Sequence, residues 1–392
     1  MKILLAHSYY QQPGGEEKVF ASEGRLLEDH GHTVYRLEAH NKDIDSLSFS
    51  GRVSTLIWNR EMYRRVYQLV KVHGIEVAHF HNTFPMISPS VYYAARKAGA
   101  AVVQRLPNYR LLCPAATMLR NGSLCEECLG RIPWKGVMYA CYRNSRVASA
   151  GTATMLAVHR LAGTWNQQVD RYVMMNEFAR RKFIQGGLPA EKLAIKPNFI
   201  LNDPGIGSGD GGYAIYVGRL SREKGLSTLF SAWRLLEGRY RLLLVGDGPE
   251  EGLVRVSAGQ NTTIQWLGRK PNEEVVELVK RAAFLVMPSI FYEPFGMVAA
   301  EAFAVGTPVI ASNLGGIPEL VEDGKSGLLF NPGDPVDLAE KMRWAFEHPA
   351  ELAQMRRQAR QEYETRYTAE QNYQTLMSIY QQAIEHRRSQ GS

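Results

Sequence analysis

The sequence of 392 residues contains no apolar run approaching the roughly 20 residues that a membrane-spanning helix needs. Its opening Met1-Lys2-Ile3-Leu4-Leu5-Ala6 turns polar at His7. That run is shorter than the apolar core of a secretory signal, so it reads as a first β-strand, and the expected location is cytoplasmic. No short-period repeat and no low-complexity tract is present, which sets aside repeat architectures. No module interleaves basic and aromatic residues, so nucleic acid is not an expected partner. Cysteine is scarce. The four residues Cys113, Cys125, Cys128 and Cys141 crowd into one stretch, and a cytosolic setting disfavours disulfides among them.

What is present suits two compact α/β domains, since the chain is too long for one average domain. Residues 1–200 hold 26 Lys+Arg against 15 Asp+Glu, a balance of +11, and residues 201–392 carry −4. A basic half points to an anionic partner, or else to a solvated surface with no role. Short apolar runs alternate with amphipathic ones. Lys2–Ala6, Val34–Leu37, Val77–Phe80, Ala101–Gln104 and Tyr172–Met175 read as strands, and Val19, Phe20, Glu23, Leu26 and Leu27 recur at helical spacing. The second half repeats the scheme with Tyr213–Val217, Arg241–Val245, Thr263–Leu267, Phe284–Met287 and Pro308–Ile310. Such alternation predicts parallel sheets covered on both faces, with ligands beyond the carboxyl ends of the strands. The expected division is 1–200, a glycine-dense linker at 201–212, and 213–392, with a cysteine-bearing insertion near 110–145 and a last helix that packs back on the first domain.

Segment 284–301 concentrates the chemistry. It reads as a buried strand, a proline-bearing turn, and a helix beginning near Phe295. Backbone N–H groups of Phe295, Gly296 and Met297 then face an anion or sugar hydroxyls. Glu293 sits at the mouth of the turn and Glu301 more than a helical turn further on. One carboxylate can accept from a sugar and the other from a ribose diol, or both are merely solvated acids. Arg219 and Lys224 sit where two cations can grip a diphosphate, Arg by its planar fork and Lys as a point charge; the plainer reading is a charged helix start. Gly14-Gly15 allows close backbone approach to phosphates.

Glu293-x7-Glu301 with Pro-Phe-Gly between resembles the signature of family 4 retaining glycosyltransferases of the GT-B fold. Other segments resemble that family in order. These are Gly14-Gly15-Glu16, His79-x-His81-Asn82, Gly218-Arg219 through Lys224-Gly225, Gly246-Asp247-Gly248-Pro249, Leu267-Gly268-Arg269 and Gly315-Gly316-Ile317-Pro318-Glu319. The resemblance implies two Rossmann-like domains facing a cleft. It also implies metal-independent, retaining hexosyl transfer from a nucleotide-diphosphate sugar, UDP favoured over GDP, to a glycan or lipid-linked glycan in polysaccharide or glycoconjugate synthesis. On that likeness Arg219, Lys224 and Glu293 serve catalysis, Glu301 holds the ribose, the backbone around Arg269 meets the base, and Glu293 with Phe295–Met297 meets the transferred sugar.

Three near-misses carry nothing. Gly246-x-Gly248-x3-Gly252 has its third glycine one place late for a dinucleotide fingerprint, Gly324-Lys325-Ser326 lacks the first glycine of a P-loop, and Asp43-Ile44-Asp45 stands outside any constellation. Cys125-x2-Cys128 with Cys113 and Cys141 is consistent with a structural zinc site, with reduced thiols, or with a redox pair. In the run Leu106-Pro107-Asn108-Tyr109-Arg110, Pro107 occupies the slot where the resembled family often carries histidine. That departure favours a weakly active or non-catalytic nucleotide-sugar binder as one rival; a sugar-nucleotide epimerase of the same fold is another. Finally, Leu56–Val72 reads as one helix with Trp58, Met62, Val66 and Leu69 on an apolar face and Arg60, Arg64, Arg65 and Lys71 beside it, with Arg52 just before. Such a helix suits an anionic membrane surface, or packing on the sheet.

Overall fold

The computed structural model describes residues 1–11 and 14–390. The chain forms two compact units. The first comprises Met1–Met118, Cys125–Pro197 and the segment from Asn372 onward; the second comprises Leu119–Leu124 and Asn198–Gln371.

In chain order the first strands are β1 (Lys2–Tyr9), β2 (Thr33–His40), β3 (Val77–Asn82), β4 (Ala101–Arg105), a hairpin of β5 (Leu119–Arg120) and β6 (Ser123–Leu124), β7 (Arg171–Met174) and β8 (Leu193–Ile195). All but the hairpin pair in parallel, in the order β2-β1-β3-β4-β7-β8. The second unit has β9 (Tyr213–Val217), β10 (Arg241–Val245), β11 (Ile264–Trp266), β12 (Phe284–Met287), β13 (Val309–Ser312) and β14 (Gly327–Phe330), in the order β11-β10-β9-β12-β13-β14. Every residue of β3, β4, β12 and β13 is buried, as helices on both faces of a parallel sheet require. Both units are therefore Rossmann-like. The edge strands β8 and β14, three and four residues long, were not foreseen.

The glycine-dense stretch 202–212 lies along the second unit. Gly207, Gly209 and Gly211 donate N–H groups to the carbonyls of Val305, Lys280 and Arg281. A Cβ on Gly207 would stand 2.3 Å from the Lys280 carbonyl oxygen, so only glycine allows this approach.

The single helix expected over Leu56–Val72 is two, Phe49–Ile57 and Arg60–His73. The break falls where Asn59 caps the second helix by accepting from the Met62 N–H. Met62, Val66 and Val70 are buried, so the apolar face is spent on packing within the unit and the arginines face outward from it.

The helix Ala369–Ser389 completes the first core, where Leu376, Ile379, Tyr380 and Ala383 pack with Ile3, Leu5, Phe20 and Val103. A buried polar network pins it there. The Lys196 ammonium donates to Glu23 Oε2 (2.7 Å) and Asn372 Oδ1 (2.9 Å). Glu23 Oε1 lies 3.1 Å from His79 Nδ1 and 3.0 Å from His81 Nε2, and His79 Nδ1 lies 2.8 Å from the Tyr380 hydroxyl. The His-x-His of β3 is thus part of the packing. Glu23, His79 and His81 could in principle hold a metal ion, but the Lys196 ammonium already neutralises the carboxylate.

Burial drives the His81 imidazole down to about 3 and lowers His79 as well, while Lys196 and the two histidines hold the buried Glu23 carboxyl well below its usual range despite desolvation. In the unfolded chain the imidazoles take up protons near pH 6.5, and the folded unit refuses them. Stability is therefore full above about pH 6.5 and falls as the pH drops, by at most about 1.4 kcal/mol per pH unit for each histidine. Urea unfolding of the first unit at pH 7.5 and 5.5 should show a loss of roughly 1–2 kcal/mol, reduced in His81→Gln. A midpoint indifferent to pH over that range contradicts this account.

Candidate functional site

In the second sheet, strand order reverses direction between β9 and β12, and such a switch point is where open α/β sheets bind ligands. Two loops meet there. Gly225 (φ +72°) closes the loop after β9, and a Cβ on it would fall 1.9 Å from the Pro288 carbonyl oxygen. The Ile290 N–H donates to the Glu223 carbonyl at 2.9 Å. This clamp brings Lys224 onto Glu293, 69 residues away in sequence, with the ammonium 2.9 Å from both carboxylate oxygens. The Ser289 hydroxyl donates to Glu293 Oε2 at 3.0 Å, and the Phe291 ring lies 5.1 Å from the lysine nitrogen. Arg219 is exposed and has no ion pair among the described residues, so its guanidinium is available to an incoming anion. Ser289 and Phe291 lie within the segment the sequence singled out, but nothing in their spacing marked them as partners of the Lys224–Glu293 pair.

The neighbouring loops stack by bare backbone. A Cβ on Gly246 (φ +140°) would meet the Gly218 carbonyl oxygen at 1.9 Å, and one on Gly248 (φ +150°) the Leu220 carbonyl oxygen at 2.5 Å. Beyond them Arg269, exposed and 3.8 Å from Asp247, lines a pocket of about 580 Å³ with Val217, Lys270, Pro271, Asn272, Val275 and Glu301. Arg269 and Glu301 thus share one concavity. The helix expected from Phe295 begins at Met297, because Gly296 (φ +90°) takes a left-handed conformation ahead of it. Phe295 itself is buried, with its ring edge-on to Tyr367 at 5.8 Å.

The first sheet has its own reversal between β1 and β3. After β1, the Gly14 N–H donates to Glu17 Oε2 at 2.7 Å and the Tyr10 N–H to Glu17 Oε1 at 3.1 Å, so in this structure a carboxylate of the same helix already fills the Gly14 amide. Gly15 is the first residue of that helix. Glu16 accepts from the Tyr10 hydroxyl (3.0 Å) and from the Asn108 amide (3.1 Å); burial pushes its carboxyl up, opposed chiefly by the Arg105 charge. Pro107 lies between Leu106, whose N–H donates to the Val173 carbonyl, and this anchored Asn108. His7 within β1 is fully buried, stacked on Phe20 with centroids 5.0 Å apart and 4.0 Å from Glu17. Its role was not legible in the sequence, because the apolar run stops at Ala6 and His7 reads as a strand boundary, whereas β1 continues to Tyr9.

The four cysteines are free thiols in the first unit. Burial pushes the Cys128 thiol up to about 11; the nearby Cys113, Cys125 and Cys141 raise it further, and a hydrogen bond from the Gly136 N–H opposes them. The thiols are neighbours, although no three of them form a group with sulfurs all within 4.8 Å among the described residues.

Residues 205–362 match the family of glycosyl transferases group 1. Residues 205–362 are thus similar to that family, and the chain has the GT-B fold. The chain is similar to glycogen synthase of Mycobacterium tuberculosis, 34% identical over 168 residues, which cover 41% of this chain and 39% of the relative. The chain thus spans about two fifths of the length of the curated relatives it matches. Over nearly the whole length the GT-B chain superposes on a glycosyltransferase from Rickettsia africae (TM-score 0.72, 15% identity, 98% of both chains). It also superposes on Anabaena Alr3699/HepE in complex with UDP and glucose (TM-score 0.67, 20% identity, 96% of this chain and 98% of that one).

Proposed function

We propose that the protein is a retaining glycosyltransferase of family 4, which moves a hexosyl group from a nucleotide-diphosphate sugar to a glycan or lipid-linked glycan without a metal ion. The observation that carries this reading is the Lys224–Glu293 pair at the β9/β12 reversal, with the exposed Arg219 on the same loop as Lys224 and the Arg269–Glu301 pocket in the same domain. Two cations suit the diphosphate, and stabilising charge on that leaving group is the main task of such a transfer. Glu301 accepts from the ribose diol and the backbone around Arg269 meets the base. Glu293 and the Phe295–Met297 backbone meet the sugar. Solved relatives in complex with UDP and UDP-glucose support a uridine donor.

The test is a thermal-shift panel of UDP- and GDP-sugars followed by transfer assays with oligosaccharide and lipid-linked acceptors, the product's anomeric configuration being read by NMR. The expected result is a shift with a UDP-sugar and a product that keeps the donor's anomeric configuration. A shift without any product favours the non-catalytic binder, for which Pro107 speaks, and conversion of donor without acceptor favours an epimerase. Inversion at the anomeric carbon overturns the retaining assignment.

For the cysteines we propose a structural zinc ion held by Cys113, Cys125, Cys128 and Cys141, with reduced thiols as the rival; their crowding into one stretch of the first unit supports it. Elemental analysis should find about one equivalent of zinc, and chelation should lower the unfolding temperature of the first unit. Metal-free protein of unchanged stability contradicts this.

A further inference from the structure

The cysteine-bearing excursion ends in a surface that the donor site does not use. Ile132, Trp134, Met138, Tyr139 and Val147 are 55%, 57%, 43%, 46% and 62% exposed. Trp134 and Met138 stand one turn apart on the short helix Trp134–Met138, with Ile132 just before it and Tyr139 just after. The inward side of the same helix is Pro133 and Gly136. A Cβ on Gly136 would meet the Pro114 side chain at 2.8 Å, so glycine seats the helix tightly on the loop beneath. The Cys141 N–H donates to the Gly136 carbonyl and holds the far end. The apolar side chains are thus displayed on a braced support, which an ordinary solvated loop has no cause to build.

The charges around it have one sign. The acids of the excursion, Glu126 and Glu127, are paired with Lys182 (2.7 Å) and Lys135 (3.0 Å). Arg131, Arg143 and Arg146 are exposed, and the Arg143 guanidinium rests over the Tyr142 ring. Indole, phenol and aliphatic side chains ringed by arginine are the composition that settles into the headgroup and acyl boundary of an anionic bilayer. A glycan platform would pair its aromatics with hydrogen-bonding side chains. Here three of the five exposed groups are aliphatic or thioether.

We propose that residues 131–147 form a membrane-docking surface that inserts Trp134 and Met138 at the interface of an anionic bilayer, with Arg131, Arg143 and Arg146 on the lipid headgroups. This differs from the Arg60–His73 helix, whose apolar face is buried. It deepens the reading of a lipid-linked acceptor, but vesicle binding needs neither donor nor acceptor, so either can fail alone.

The experiment uses the full chain and vesicles of equal phosphatidylglycerol and phosphatidylcholine, beside vesicles of phosphatidylcholine alone. Co-sedimentation should require the anionic lipid and fall with salt. Tryptophan emission should shift to the blue on binding. Trp134→Ser/Met138→Ser should abolish the shift and the sedimentation while UDP-sugar thermal shifts stay unchanged. Each arginine replaced by serine should weaken binding about 5-fold, the equivalent of roughly 1 kcal/mol per basic residue. Arg60→Ser/Arg64→Ser should bind as the natural protein does. Three outcomes overturn the proposal: no preference for anionic vesicles, full binding by the Trp134/Met138 variant, or a dimer in gel filtration that Trp134→Ser dissolves. Blue-shifted emission with a soluble oligosaccharide and none with vesicles would assign the surface to a glycan and overturn it too.

Discussion

Replacing Arg219 or Lys224 with alanine should each cut turnover by roughly 10²-fold or more, the scale seen when one preorganised donor to developing charge is lost. The two variants should differ in stability. Arg219 is exposed and has no ion pair among the described residues, so its removal should leave the unfolding temperature in place. Lys224 is bound to both oxygens of Glu293, which is 8% exposed. Its loss leaves that carboxylate with the Ser289 hydroxyl. Breaking a fully buried pair costs about 3–5 kcal/mol, and the partly exposed lysine should bring the cost here to about 1–3 kcal/mol. Lys224→Met/Glu293→Gln removes both charges, so it should recover most of that stability and none of the turnover. Glu301→Ala should chiefly raise KM for the donor. Steady-state kinetics and thermal unfolding on the same preparations separate these effects. Near-normal kinetics in both single variants would sink the donor-site assignment.

Pro107→His should raise the rate by about 10²- to 10³-fold, the inverse of losing a hydrogen-bond donor worth about 2.7–4 kcal/mol in the transition state. Donor affinity should change little, because Arg219, Lys224, Glu293 and Glu301 all stand elsewhere in the chain. Asn108 is a poor substitute for the missing group: its amide nitrogen is committed to Glu16 and the Tyr10 hydroxyl at 3.1 Å, and its oxygen accepts from the Arg110 N–H. Proline also fixes its own φ and restricts Leu106, so Pro107→Ala is the control that frees the backbone without adding a donor. Identical behaviour of the His and Ala variants removes the histidine argument. Fast turnover by the natural protein means that the slot has been misaligned.

The second unit was legible because its candidate site is built from local motifs. The loops Gly218–Gly225 and Pro288–Gly296 each carry their residues within a few positions, and each follows a strand of clear apolar pattern. What spacing along the chain could not convey was the contact between them: Gly225 against Pro288 is a long-range fit of backbone to backbone, and it is this that joins Lys224 to Glu293. The first half was harder to read. Glu23 sat among apolar positions of its helix without a visible reason until His79, His81 and Lys196 converged on it. The break at Asn59 was missed because the hydrophobic period runs through it, while the cap that makes it is one side chain. The Gly14 amide, expected to face phosphate, is held by Glu17, three residues on, in a capping arrangement that the same letters also spell.

The first core draws Leu376, Ile379, Tyr380 and Ala383 from the far end of the chain, whereas all but six residues of the second unit come from the single span Asn198–Gln371. A ribosome therefore releases the ingredients in an order that inverts the numbering. By the time Gln371 has emerged, the later half holds everything it needs to collapse, and the earlier half, made first, still lacks the helix that covers one face of its sheet. Until that helix arrives, Ile3, Leu5 and Val103 lack part of their cover, and the Lys196 ammonium has Glu23 but not Asn372 to donate to. In the order of synthesis the Ala369–Ser389 helix thus acts as a late stitch for the earlier half, which waits for it with its core incomplete.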